Sequence, residues 1–114
     1  MILVRLIMNV LPHKQKEVMQ TLLSMIESAR KEKGCLGYDV FRDIDGKTVY
    51  NLIEEWETRE DLDHHIRSER FSVLLGIKSL LAEPVEMKIH TVSHSEGAEV
   101  VDALRGKGTS KKNV

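Results

Sequence analysis

The spacing of apolar residues changes period along this chain, and that change limits the fold more than any single residue does. Ile2 to Val10 is mostly apolar and rich in strand formers. Such a run reads as a strand covered on both faces. Pro12 falls where a helix can begin, because its missing N–H would be unpaired there anyway. From about residue 14 the period turns helical: Val18, Leu22, Met25, Ile26 and Ala29 form one stripe, with Lys16, Gln20, Glu27 and Lys31 opposite. Gly34 is placed to stop that helix.

Leu36 to Arg42 reads as a second strand and Thr48 to Trp56 as its return. Asp45-Gly46 between them signals a tight hairpin whose central residues need positive φ. Thr58-Arg-Glu-Asp61 resembles a capping box and opens a second helix. Ser68 caps a continuation to about Leu81, which Pro84 ends. From Val85 to Ser93 the pattern alternates, with Val85, Met87 and Ile89 on one face and Glu86, Lys88 and His90 on the other, giving a fourth strand. The order is β-α-β-β-α-β, the ferredoxin-like arrangement: an α+β fold with an antiparallel sheet. Residues 1–94 make this domain, and 95–114 make a C-terminal extension. The extension reads as one loose helical turn around Val100, Val101 and Leu104, then a disordered tail over 106–114.

A ferredoxin-like sheet carries helices on one face only. Here the first and third strands have apolar residues on both faces, Val49 and Ile53 against Leu52 and Trp56 on the third. A second copy of the chain packed face to face would cover the open side, so a two-fold homodimer is expected. A length of 114 residues fits one domain. Seventeen basic against eighteen acidic residues leave a formal charge of −1, which gives no electrostatic footprint for nucleic acid. The apolar runs are too short to span a membrane, and the start lacks the pattern of a signal peptide. Cys35 is the only cysteine, so neither an internal disulfide nor a cysteine-based zinc site is available. The expectation is a cytoplasmic protein with no nucleic-acid or membrane partner.

The chemistry-bearing residues gather around the second helix. Leu62, His65 and Ile66 share one helix face, so His65 points toward the sheet, while His64 points to Glu60, Arg67 and solvent. An inward imidazole is either a structural group satisfied by a neighbour or a proton acceptor able to change charge near neutral pH. Trp56, the only tryptophan, is core packing or the wall of a slot for a planar ligand, and both roles are compatible. Glu54 shares its strand face with Trp56. It is either paired structurally, with Arg5 as a candidate partner, or set to orient His65. Asn51 could donate to an oxyanion, but alternation puts it opposite Trp56 unless a bulge restores the phase. Tyr38 and Phe71 are pocket lining or core. His90 and His94 share a strand face about 13 Å apart by strand rise, too far for one ion, so no metal is expected. No phosphate-binding loop or dinucleotide fingerprint occurs.

Three segments carry a family resemblance: Gly34-Cys-Leu-Gly-Tyr-Asp-Val-Phe-Arg-Asp43, Glu54-Glu-Trp56, and Leu62-Asp-His-His65 with Ser68-Glu-Arg-Phe71. Together they resemble the antibiotic biosynthesis monooxygenase (ABM) domain family over roughly residues 1–93. The resemblance implies a dimeric α+β barrel with a pocket between each sheet and its helices. Members of that family include cofactor-free oxygenases of quinols and anthrones, haem-degrading enzymes and an isomerase. Arg70 stands where many members have a second histidine. An arginine stays charged and is no base at neutral pH, so it either holds an anionic substrate group or faces water. The haem-degrading branch places an iron-binding histidine where this chain has Leu75, which disfavours that activity.

The expected function is a cofactor-independent oxygenase of a small aromatic quinol, phenol or anthrone using O2. His65 is the expected base. Trp56 and Phe71 are the walls, Tyr38 or Arg70 the polar handle, and Glu54 and Asn51 further contacts. Two alternatives use the same residues: a non-catalytic dimer that binds a hydrophobic metabolite, and an isomerase of a small carbonyl compound.

Overall fold

The computed structural model describes residues 1–106 of the chain. Four strands form one sheet: β1 (Ile2–Asn9), β2 (Cys35–Arg42), β3 (Val49–Trp56) and β4 (Glu86–Thr91), in the spatial order β2-β3-β1-β4. All three pairings are antiparallel. The helices are α1 (Gln15–Arg30), α2 (Arg59–Arg67), α3 (Glu69–Leu75) and α4 (Glu99–Arg105). This is the expected ferredoxin-like α+β fold, with the sheet open within one chain.

Strand alternation decides the layers. Ile2, Val4, Leu6 and Met8 of β1 are buried, and so are Tyr50, Leu52, Glu54 and Trp56 of β3. Val18, Leu22, Met25 and Ala29 of α1 pack on that face, as do Leu62, Phe71 and Leu74 from the second helical segment. The helical stripe read from the sequence is therefore the core-facing side of α1. On the opposite sheet face Leu3, Arg5, Ile7, Val49, Asn51, Ile53 and Glu55 are only half-buried, because no helix covers them.

The second helical segment is broken rather than continuous. Thr58 caps α2 by accepting from the Asp61 N–H at 3.1 Å. Ser68 then adopts an extended backbone (φ −77°, ψ 160°), ends α2, and starts α3 by accepting from the Phe71 N–H. A 3-10 turn over Gly76–Leu80 completes the segment.

Several boundaries differ from the sequence expectation. The β2–β3 hairpin is not closed by a tight Asp45-Gly46 turn. The strands end at Arg42 and restart at Val49, and Gly46 is not at positive φ. The longer loop 43–48 closes through Asp43 N–H to Val49 O and Val49 N–H to Gly46 O, which needs no left-handed residue. On β4, Met87 and Ile89 lie across from Leu6 and Val4 on the helix side, yet each is 37% exposed. The helical layer leaves that edge strand partly uncovered. The extension forms the short helix α4, with no buried residue, instead of one loose turn. Of the tail expected over 106–114, residues 107–114 lie outside the described residues.

Candidate functional site

The site is assembled by three local rules. Alternation on β3 turns Glu54 and Trp56 inward together, and antiparallel register sets Tyr38 of β2 directly across from Glu54. Helical spacing turns Leu62 and His65 of α2 onto the same face. The Ser68 break then brings Phe71 of α3 against the imidazole.

His65 is fully buried inside three aromatic rings. Its centroid lies 4.7 Å from Trp56 with planes tilted 32°, and it meets Tyr38 and Phe71 edge-on at 5.8 and 5.7 Å. Its Nδ1 lies 2.9 and 3.1 Å from the two carboxylate oxygens of Glu32. Arg70 donates from Nη1 to the same carboxylate. The Trp56 indole donates to Glu54 Oε1 at 2.9 Å. His65 Nε2 is 4.0 Å from that oxygen, outside hydrogen-bond range.

Three buried polar atoms around this imidazole have no hydrogen-bond partner among the described residues: His65 Nε2, Glu54 Oε2 and the Tyr38 hydroxyl. Buried polar groups are nearly always satisfied, so a set of three unpaired ones around one ring makes this the candidate site of the fold. Electrostatics adds to this. Burial, the largest cause, pushes the Glu54 pKa up, while the Trp56 hydrogen bond and His65 pull it down. Burial also raises the Tyr38 phenol, helped by the nearby Glu54 and Glu32 charges, so its proton is retained as a donor.

Glu32 was missed by sequence reasoning. It lies in the α1–β2 connection, outside any strand or helix pattern. The signal that could have found it is Gly34 two residues later. Gly34 has φ +81°, and a Cβ there would overlap the Asp61 carboxylate. Its carbonyl also accepts from the Glu57 N–H at 2.8 Å. This close approach pins the connection against the start of α2 and brings Glu32 to His65.

The other candidates divide clearly. Trp56, Tyr38, Phe71, Glu54 and His65 come together. Arg70 joins them only through Glu32; it neither faces water alone nor offers a free charge to a ligand. Asn51 does not join them. β3 has no bulge, and the one register shift lies on β2 between Cys35 and Gly37. Asn51 therefore stays on the uncovered face and donates to Asp43. Arg5 cannot pair with Glu54, since it sits across from Ile53 on that same uncovered face. His64 is exposed, and His94 pairs with Glu96 at the surface. Among the described residues no group of three or more His, Cys, Asp or Glu is placed to hold a metal ion. None of the described helices is long and apolar enough to cross a membrane.

A small apolar cavity of about 50 Å³ lies between the sheet and α3, lined by Leu6, Met8, Phe71, Leu74, Ile77 and Met87 among others. Phe71 is the shared wall between this cavity and His65.

Comparison with known proteins follows the same outline. The family model described as antibiotic biosynthesis monooxygenase matches residues 1–74. An uncharacterized protein of Synechocystis, sll1783, is 29% identical over 89 residues, or 77% of this chain. This chain spans only 60% of that relative's length. A conserved protein from Methanosarcina mazei Go1 superposes with a TM-score of 0.75 at 32% identity, covering 78% of this chain and 89% of the other. A structure named antibiotic biosynthesis monooxygenase superposes at 0.76 with 25% identity, covering 82% of this chain and 100% of the other.

Proposed function

The chain belongs to the antibiotic biosynthesis monooxygenase family, and from that premise we propose that it is a cofactor-independent oxygenase of a small, uncharged aromatic hydroxy compound: a quinol, a phenol or the enol of an anthrone. The observation that carries this reading is the fully buried His65, boxed by Trp56, Tyr38 and Phe71, with Nε2 unpaired.

The chemistry needs little from the protein. His65 Nε2 takes the hydroxyl proton of the substrate. The resulting anion is electron-rich enough to pass one electron to O2, and the two radicals join in a carbon–oxygen bond. The O–O bond then breaks as His65 returns its proton. One oxygen atom ends in a new carbonyl, the other in water, and a CH2 or aromatic CH centre supplies the electrons. The Tyr38 hydroxyl donates to the developing phenolate oxygen. Trp56 and Phe71 hold the ring plane. The apolar cavity beside Phe71 is too small for an aromatic ring against the usual few hundred Å³ of a ligand pocket. In this reading substrate entry requires the side chains around His65 to open, Phe71 being the one shared with the cavity.

The uncharged class follows from the charge arrangement. Arg70 is already paired with Glu32, and Glu54 is buried without a cation. A carboxylate or phosphate group in this slot would meet carboxyls and no free positive charge.

A second copy completes the assembly in this reading, packed over Leu3, Ile7, Val49 and Ile53 as a homodimer. The unbridged Cys35 fits a reducing, cytoplasmic setting. The His65–Glu54 juxtaposition would also serve enolisation, so an isomerase of a small carbonyl compound is the second reading. A non-catalytic binder would use the same box.

The test is oxygen uptake by metal-stripped protein with a panel of reduced quinols and anthrones. Uptake above the spontaneous rate and lost in His65→Ala supports the oxygenase. Substrate conversion without oxygen consumption identifies the isomerase. Quenching of Trp56 fluorescence by ligands that are never converted identifies the binder.

A further inference from the structure

We propose that Glu32 is a positioning residue that locks His65 in the tautomer with its proton on Nδ1, and that Arg70 is the partner that fixes the Glu32 carboxylate in that position. The inference rests on the reading of His65 as the base, and it says which nitrogen acts.

The argument is one of donor and acceptor inventory. An ionised carboxylate only accepts hydrogen bonds. Both Glu32 oxygens lie within hydrogen-bond distance of Nδ1, at 2.9 and 3.1 Å. Nδ1 must then carry the proton. A neutral imidazole has one N–H, so Nε2 is left with its lone pair. No competing group reverses this choice, because Glu54 Oε1 is 4.0 Å from Nε2 and already accepts from Trp56. The lone pair thus faces the side where Glu54 Oε2 and the Tyr38 hydroxyl are also unpaired.

The Glu32 side chain is 12% exposed. Enclosing a carboxylate is costly unless it is paired and hydrogen-bonded. Arg70 supplies the pairing, and its own side chain remains 38% exposed, so its guanidinium keeps part of its hydration. The Arg70–Glu32–His65 chain therefore runs from the surface to the buried ring. When Nε2 takes up a proton, the imidazolium that forms lies against a carboxylate held ready for it. Loss of the partner that orients a metal-bound histidine commonly costs about 10–100-fold, and a loss of that order is expected for an oriented base here.

The decisive experiment is a long-range 1H–15N correlation spectrum of 15N-labelled protein, at a pH where His65 is neutral. The expected spectrum has His65 Nδ1 protonated and Nε2 bare. In Glu32→Gln the amide can donate to Nδ1, so the tautomer shifts toward Nε2–H; kcat for oxygen uptake falls about 10–100-fold with KM changed far less. Arg70→Gln leaves the Glu32 carboxylate as the acceptor for Nδ1 and is expected to keep the wild-type tautomer while broadening the His65 resonances, since Arg70 only fixes the carboxylate in place; unchanged sharpness removes that role from Arg70. A wild-type His65 with Nε2 protonated overturns the proposal, and so does a Glu32→Gln variant with the unchanged tautomer. If Glu32→Gln fails to fold, the wild-type spectrum alone still decides the tautomer. The spectrum needs no turnover, so it separates failure of this inference from failure of the oxygenase reading.

Discussion

Glu54 and Trp56 stand two residues apart on β3 and share one hydrogen bond inside the core, indole Nε1 to carboxyl Oε1 at 2.9 Å. The bond satisfies the tryptophan completely and the glutamate by half. Strand alternation makes the pairing local, and the cost falls on Glu54, a buried carboxyl with no cation of its own.

That cost sets a pH dependence of stability. Burial raises the folded-state pKa of Glu54 above its ordinary carboxylate value. The folded state therefore binds more protons than the unfolded one between the two values. The Glu54 contribution is full below the unfolded pKa and is lost as pH rises through the folded pKa. In urea unfolding across pH 4 to 8, Glu54→Gln should remove a slope of up to about 1.4 kcal/mol per pH unit that the wild type shows as pH rises. A slope that is the same in both proteins would mean Glu54 is charged at no penalty.

Gly34 couples backbone conformation to the site. Its φ of +81° favours glycine, and an added Cβ would overlap Asp61. Gly34→Ala should cost about 2 kcal/mol from backbone strain, before the clash is counted. Gly34→Asn tolerates the backbone angle but keeps the clash. If the asparagine variant regains wild-type stability in denaturant titration, the close approach to Asp61 is not what requires glycine.

The two sheet faces predict opposite outcomes for two polar residues. His65→Ala should lower turnover about 10²–10⁴-fold, the range for loss of a general base. Asn51→Ala should leave turnover within about twofold, because Asn51 faces away from the slot and is tied to Asp43. Oxygen-uptake rates check both. A large loss in the asparagine variant would show that the uncovered face takes part in the chemistry.

Ile53 tests the partner copy. It lies between Arg5 and Asp39 in the sheet register, half-buried on the uncovered face. A stable interface there removes at least about 1,000 Å² from water, and a charge at its centre opposes that. Ile53→Asp should shift the mass in sedimentation equilibrium from two copies to one while keeping the far-ultraviolet spectrum. A wild type that sediments as a monomer would remove the dimer from the proposal.

Much of this was legible in the residue order. The alternation of β3 was enough to set Glu54 with Trp56 and to send Asn51 the other way. The spacing in α2 was enough to turn His65 inward and His64 out. The caps at Thr58 and Ser68 lay in plain view. The hairpin turn misled, because Asp45-Gly46 is a strong signal only when the flanking strands continue up to it, and here they stop at Arg42 and Val49.

Periodicity is a property of neighbours along the chain, and it determined which residues face the core and which face away. It is blind to partners distant in sequence. Glu32 and His65 are 33 positions apart, and Glu32 and Arg70 are 38 apart. Glu54 looked like a partner for Arg5 until the sheet put the two on opposite faces. Only the packed chain could choose Glu32 for His65 and Arg70 for Glu32, because burial makes an unpaired charge costly and the tertiary fold alone decides which opposite charge is within reach.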